Sequence, residues 1–387
     1  MPTAPRLTVY RHFHRFAWLA VALTLCVVVF GAYVRLSDAG MGCPDWPTCY
    51  GRATWPQGAE QAASHAAIDV RPFEHGKAWR EQVHRHIAAI LGVLVLVLAL
   101  IAARRRRLGI AQVLVAAALV ALAIPLYMRG QVQAAAALAI AGEAILLLAA
   151  LRWSNLDLAR AAALTLAVII FQALLGMWTV TLLLKPIVVM AHLLGGLLTF
   201  SLLVWMAWRA TNLPIILVDA AAVRRWVIAG LALLGVQIAL GGWVSANYAA
   251  LSCGGGNWSA SNFPQCAGQW WPRANFQEGF TLWRGIGVDY EGGVLDGASR
   301  IAIQLVHRVM AVVLALYLLV LGWRLLRTPG LRGWAVALVL LLAAQLAMGV
   351  LNVKLSLPLH VAVGHHLGAV LLLFVLVTLL ARLRRPG

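Results

Sequence analysis

Charge is what this 387-residue sequence has least of: 11% of its residues are Asp, Glu, Lys or Arg. Ordinary soluble domains carry about a quarter charged residues, so a soluble globular chain is excluded. Acidic residues are the scarcer sign, 13 against 31 basic, which leaves a formal net charge of +18. That excess does not read as a nucleic-acid surface, because the arginines fall in short clusters between apolar runs. Cysteine is scarce too, with five in all. Cys26 lies inside the first apolar run and is expected to be a small buried hydrophobe. The other four stand in two polar loops, Cys43 with Cys49 and Cys253 with Cys266, and such pairs on an oxidising side of a membrane read as disulfides. A cleavable signal is not expected either: Met1 to Arg15 is short and basic and runs straight into an apolar helix, with neither a small-residue cleavage site nor the length of a transit peptide.

What is there is apolar, 62% hydrophobic with a mean hydropathy of +0.85. Runs of membrane-spanning length occur at about 16–36, 82–103, 108–127, 133–151, 161–182, 187–208, 226–246, 300–323, 333–353 and 359–380, which predicts an all-α polytopic membrane protein with about ten transmembrane helices. Basic clusters flank every second connection: Arg6, Arg11 and Arg15; Arg104 to Arg107; Arg152 and Arg160; Arg209, Arg224 and Arg225; Arg324, Arg327 and Arg332; Arg382, Arg384 and Arg385. These connections and both termini are therefore expected in the cytoplasm. The loops 37–80 and 247–299 then face outward, carrying both cysteine pairs and much of the tryptophan (Trp46, Trp55, Trp79, Trp258, Trp270, Trp271, Trp283) as an interfacial belt.

The chain repeats itself. Gly31-Ala32-Tyr33-Val34 before Cys43 returns as Gly241-Gly242-Trp243-Val244 before Cys253, an offset of 210. Glu81-x-x-His84-Arg85 returns as Gln304-x-x-His307-Arg308, an offset of 223. Gln172, Gly176, His192 and Gly195 return as Gln345, Gly349, His365 and Gly368, an offset of 173. Two pseudo-symmetric four-helix bundles explain all three registers. The fall from 223 to 173 leaves 50 extra residues in the first half, read as a transmembrane hairpin inserted at 108–151. The expected organisation is a cytoplasmic N-terminus (1–15), an N-terminal half (16–208) holding that hairpin, a cytoplasmic linker (209–225) and a C-terminal half (226–387). Glu143 in the hairpin has no counterpart in the repeat, and a structural or interface role is expected of it.

Four histidines occupy repeat-matched positions, His84 and His192 in the first half and His307 and His365 in the second. By the topology all four lie near the outer ends of their helices, where opposed imidazoles of a bundle can clamp a metal. Bis-histidine haem ligation needs that arrangement, with small residues nearby; Gly195, Gly196, Gly364 and Gly368 either admit a macrocycle or serve tight packing. A structural zinc site would want further ligands converging on each pair, and no such set recurs in both halves. His366 aligns with Leu193, so the repeat favours His365. His86 has Val309 opposite and reads as packing, and an interfacial role suffices for His360. Glu81 shares a helical face with His84 and can take a proton or orient a water; pairing with Arg85 or a loop arginine is the alternative. Its repeat partner Gln304 cannot ionise. Arg85 and Arg308 either neutralise propionates or snorkel.

The stretch Gly31 to Gly51, GAYVRLSDAGMGCPDWPTCYG, resembles the first outer-loop signature of the haem A synthases of bacteria and mitochondria. Glu81-x-x-His84-Arg85, Ala191-His192-Leu193, Gln304-x-x-His307-Arg308 and Leu357-Pro358 before His365 resemble that family's remaining motifs. The hairpin 108–151 departs from its eight-helix pattern, and His366 stands where the family usually has Gln. The resemblance implies oxidation of a ring methyl of haem O to a formyl by successive hydroxylations. It implies substrate porphyrin at His84 and His192, cofactor haem b on His307 and His365, and Glu81 as the catalytic candidate. The first-loop cysteine pair would be a redox-active or structural disulfide, and Cys253 with Cys266 a structural one. The partners to expect are haem O, membrane lipid, haem O synthase and terminal oxidase assembly factors, with self-association as a further expectation and no nucleic acid. The expected place is the bacterial inner membrane. A di-haem b-type cytochrome that only passes electrons is the rival reading; it accounts for the histidines but not for the difference between Glu81 and Gln304 or for the loop cysteines. A transporter of inverted repeats is disfavoured by the even number of helices per half and by the want of broken helices.

Overall fold

The computed structural model describes residues 9–63, 72–254 and 263–386; Arg6 of the first basic cluster and Trp258 lie outside the described residues. The helices in chain order are α1 (Phe13–Leu36), α2 (Ala59–Ala62), α3 (His75–Ala103), α4 (Gly109–Met128), α5 (Val132–Arg152), α6 (Ala159–Thr181), α7 (Pro186–Thr211), α8 (Ala220–Ala246), α9 (Phe276–Gly279), α10 (Gly297–Leu326), α11 (Arg332–Lys354) and α12 (Leu359–Arg382). Apart from the single turns α2 and α9, the described helices are ten, each long and apolar enough to cross a membrane. An α-helix is the form these runs must take there, since it satisfies every backbone polar group within the segment.

In the first half α1 packs on α3 and α7, and α6 packs on the same two, closing a ring of four. The second half closes the same ring, α8 and α11 each packing on α10 and α12. The halves meet through α7 with α12, α7 with α8, and α1 with α12. Exchanging each helix for its repeat partner turns the last two contacts into one another, so the junction is itself pseudo-two-fold. The repeat reaches into the backbone. The turn between α6 and α7 holds Leu183 and Leu184 at positive φ (51° and 59°), and the turn between α11 and α12 holds Ser356 and Leu357 the same way (58° and 62°). At the ends remote from the cysteine loops Trp18 ties α1 to α7 by donating to Thr211 Oγ1 (3.0 Å), and Trp208 stitches the halves by donating to Thr378 Oγ1 (2.9 Å). A two-residue parallel ladder, β1 (Ile215–Ile216) with β2 (Leu383–Arg384), ties the linker to the C-terminal segment.

The inserted residues form the hairpin α4/α5, which packs on α3 and α6 at the outside of the first ring. Its base is closed by Arg106, which donates to Asp157 Oδ1 at 2.7 Å and to the Ser154 carbonyl at 3.1 Å. Cys26 departs from the expectation of burial. It is exposed on α1, because in a membrane bundle an apolar position is as content against lipid as against protein.

Candidate functional site

Both cysteine pairs are bridged, Cys43 with Cys49 and Cys253 with Cys266. The two loops are copies: Cys49 pairs with Arg52 in an isolated antiparallel bridge, and Cys266 pairs with Gln269 in another, at a shared offset of 217. Each loop lies against the helix that carries its half's Glu/Gln, His and Arg. In the first half this contact is dense. Glu81, 5% exposed, accepts the Cys43 N–H on Oε2 at 2.7 Å and the Arg85 Nη2–H on Oε1 at 2.6 Å. Arg85 also donates to the carbonyls of Cys43 (3.1 Å), Asp45 (2.7 Å) and Thr48 (2.7 Å). Both alternatives left open for these residues therefore bear on one another. Glu81 makes the ion pair and still lines the cavity, while every terminal nitrogen of Arg85 is taken up by the loop and Glu81.

The second half relaxes the same design. Gln304, also 5% exposed, donates to the Ala250 carbonyl at 3.2 Å. Arg308 donates to the carbonyl of Gln265 (3.2 Å), the counterpart of Thr48, and its guanidinium lies 5.3 Å from the Phe263 ring. Among the described residues its Nη2 and Nε meet no hydrogen-bond acceptor.

All four repeat-matched histidines, with Glu81 and Gln304, line one cavity of about 2760 Å³, well above the ~300–1,000 Å³ of ordinary small-molecule sites. Each ring is seated against a glycine of the neighbouring helix. A Cβ built on Gly31 would come 2.8 Å from Cε1 of His84; on Gly176, 3.1 Å from that of His192; on Gly241, 3.3 Å from that of His307; on Gly349, 3.2 Å from that of His365. At Gly31 that distance is shorter than real Cβ atoms show, so the His84 ring could not stay; at the other three the contact would be tight and the ring would have to give by a few tenths of an ångström. Glutamines hold three of the rings. Gln172 Nε2 is 2.9 Å from His192 Nδ1, Gln237 Nε2 is 3.1 Å from His307 Nδ1, and Gln345 presents its amide to His365 Nε2 (3.3 Å) and its backbone carbonyl to Nδ1 (3.1 Å). Gly195 and Gly368, expected to admit a macrocycle or tighten packing, make room for the amides of Gln172 and Gln345.

Gln172 and Gln345 stand out in the sequence as repeat partners, whereas Gln237 does not. The signal was present, since Gln172-x-x-x-Gly176, Gln345-x-x-x-Gly349 and Gln237-x-x-x-Gly241 share one spacing; it was hidden because the first copy has Val27 before Gly31. His86 meets the Ala53 carbonyl (3.1 Å) and also lines the cavity. Glu143 does reach the cavity wall, and among the described residues its Oε1 has no hydrogen-bond partner.

These residues fit a pair of haems. Four imidazoles recur two per four-helix ring, each close against a glycine of the neighbouring helix, on a wall that is mostly apolar. Among the described residues no cluster of three or more His, Cys, Asp or Glu side chains is placed to hold a metal ion.

Comparison with known proteins bears on the same surface. The model of a family described as cytochrome oxidase assembly protein matches residues 14–132 and 131–377. A heme A synthase of Shewanella oneidensis is 36% identical over 367 residues, spanning 93% of either chain. One of Caulobacter vibrioides is 29% identical over 228 residues, 56% of this chain and 60% of that one. One of Paracoccus denitrificans is 32% identical over 114 residues, 29% of this chain and 27% of that one.

Proposed function

The chain belongs to the cytochrome oxidase assembly family, with heme A synthases among its relatives, and from that membership we propose that it is a haem A synthase, oxidising a ring methyl of haem O to a formyl group. The observation that carries the reading is the difference between the two copies of one site: an ionisable Glu81 tied to a disulfide loop beside His84, against a Gln304 that cannot exchange a proton. A pair of identical electron-carrying haem sites would have no use for that difference.

His84 and His192 take the substrate porphyrin, and Glu81 works at its edge. Each two-electron oxidation of the methyl carbon, with its oxygen drawn from water, would release two protons and two electrons, the electrons leaving to a one-electron acceptor outside this chain. Glu81 orients that water and receives a proton. The Arg85 guanidinium and the Cys43 N–H fix the carboxylate's direction and balance its charge, so the two oxygens present the same face through successive oxidations. His307 and His365 would hold haem b, which supplies one-electron transfer when bound. Arg308, with nitrogens to spare, is the better placed of the two arginines for a propionate. The same reading sets the protein in a bacterial inner membrane, termini in the cytoplasm and both bridged loops outside, with haem O synthase and oxidase assembly factors as neighbours.

The test is chemical. In cells that make haem O, extracted and separated haems should include haem A with the unaltered chain and only its precursors with Glu81→Gln. Haem B and untouched haem O from both would overturn the reading.

A further inference from the structure

Each half has an arginine on the cavity wall with nitrogens to spare, and the two stand at different places. In the second half it is Arg308, whose Nη2 and Nε meet no acceptor among the described residues. In the first half the equivalent arginine, Arg85, is spent on Glu81 and three loop carbonyls. The spare one there is Arg35, in the last turn of α1. It stands one turn beyond Gly31, the glycine against which the His84 ring is seated, and residues four apart share a face of a helix. Its repeat partner in the second half, at the offset of 210, is Ser245, which carries no charge.

The Arg35 guanidinium reaches across to the second half. Nη1 donates to the Tyr248 hydroxyl at 3.1 Å and Nη2 to the Ser245 carbonyl at 2.8 Å, and neither partner is charged. Nε is buried and meets no acceptor among the described residues. The only carboxylate that Arg35 meets there is that of Asp38, at 4.0 Å and with its side chain 62% exposed. A cation on the wall of an apolar cavity is costly until an anion joins it, and the guanidinium fork suits a carboxylate. A haem carries its two carboxylates at one edge. We propose that Arg35 binds a carboxylate of the first-half porphyrin while Arg308 serves the second-half haem, so that the two groups are held by arginines of non-equivalent helices. The inference rests on the bis-histidine haem reading and deepens it. A flat ring on two axial imidazoles can turn about the axis through them. An anchor at its edge stops that turning and fixes which methyl comes to Glu81. With Arg35 in that role, Arg85 is left to hold Glu81, and one half binds a carboxylate and orients another at the same time.

Binding tests this. The purified full-length protein, its second-half haem in place, is titrated with ferric haem b and with the dimethyl ester of the same haem, which cannot form the ion pair. First-half binding is the part that His192→Ala abolishes. The readout is the ratio of the two affinities, since partitioning into detergent enters every variant alike. Arg35→Gln is expected to lower that ratio ~10–100-fold, the range of a hydrogen bond to a charged group. Tyr248→Phe removes a partner of Arg35, keeps the charge, and is expected to leave the ratio as it is. If Arg35→Gln does not fold, Arg35→Lys is read in its place; it keeps the charge without the fork, and a lowered ratio is again expected. An unchanged ratio with Arg35 replaced, or an equal fall with Tyr248→Phe, would overturn the proposal. Binding with no dependence on His192 would overturn the haem reading along with it. Haem A is scored separately: a ratio that depends on Arg35 in a chain that makes no haem A sinks the synthase reading and leaves this inference standing, while haem A from a chain whose ratio ignores Arg35 does the reverse.

Discussion

At Gly31 a hydrogen atom in place of a methyl is what leaves room for the His84 imidazole. At Gly31 an added Cβ would sit 2.8 Å from the His84 ring, and at Gly241 3.3 Å from His307. Gly31→Ala is therefore expected to displace its ring and cost ~1–3 kcal/mol by overpacking, with first-half haem lost. Gly241→Ala should need only a shift of a few tenths of an ångström and keep more haem. Haem per chain and thermal unfolding measure both. Arg85 is the other residue on which much depends, since it neutralises buried Glu81 and meets three loop carbonyls. Removing one partner of a buried pair strands the other, at ~3–5 kcal/mol. Arg85→Ala should lower the unfolding temperature more than Arg308→Ala, whose guanidinium contacts two loop carbonyls and no carboxylate among the described residues.

Two elements have separable roles. The loop bridged by Cys43 and Cys49 hands its Cys43 N–H to Glu81, so its conformation and the carboxylate's direction are one matter. Cys49→Ser should depress haem A formation while leaving the second-half haem spectrum as it is; loss of both would show that the bridge serves global stability instead. The hairpin α4/α5 leans on α3 and α6 and touches the same loop through Tyr127, whose ring is 6.2 Å from that of Trp46. Its base is already closed by Arg106 and Asp157. Replacing 108–151 with a short polar link is thus expected to leave both four-helix rings assembled and the second-half haem bound, as read by absorbance.

At the scale of the molecule, two closed rings meet across a pseudo-two-fold junction, and each ring holds its own histidine pair. Loss of a ligand should therefore stay local. His307→Ala is expected to remove the resident haem and His84→Ala to spare it, as judged by the haem content of the purified chain. Loss of all haem from either variant would mean that the rings fold as one unit around both groups.

Ten spans, two halves, an inserted hairpin and four matched histidines were legible in the sequence, because a bilayer demands long apolar runs and duplication leaves a register that can be counted. The cysteine pairs were legible by their loops. Tertiary structure alone decided the rest. Glu81 is both ion-paired and turned to the cavity, a choice that rests on where the Cys43 N–H falls in space. Cys26 faces outward, because lipid and protein interior are equally apolar and hydropathy cannot separate them. The internal repeat alone shows two halves that differ at Glu81 and Gln304. The packed chain shows a second difference, Val27 against Gln237: Gln237 reaches the His307 ring, while among the described residues Nδ1 of His84 has no hydrogen-bond partner.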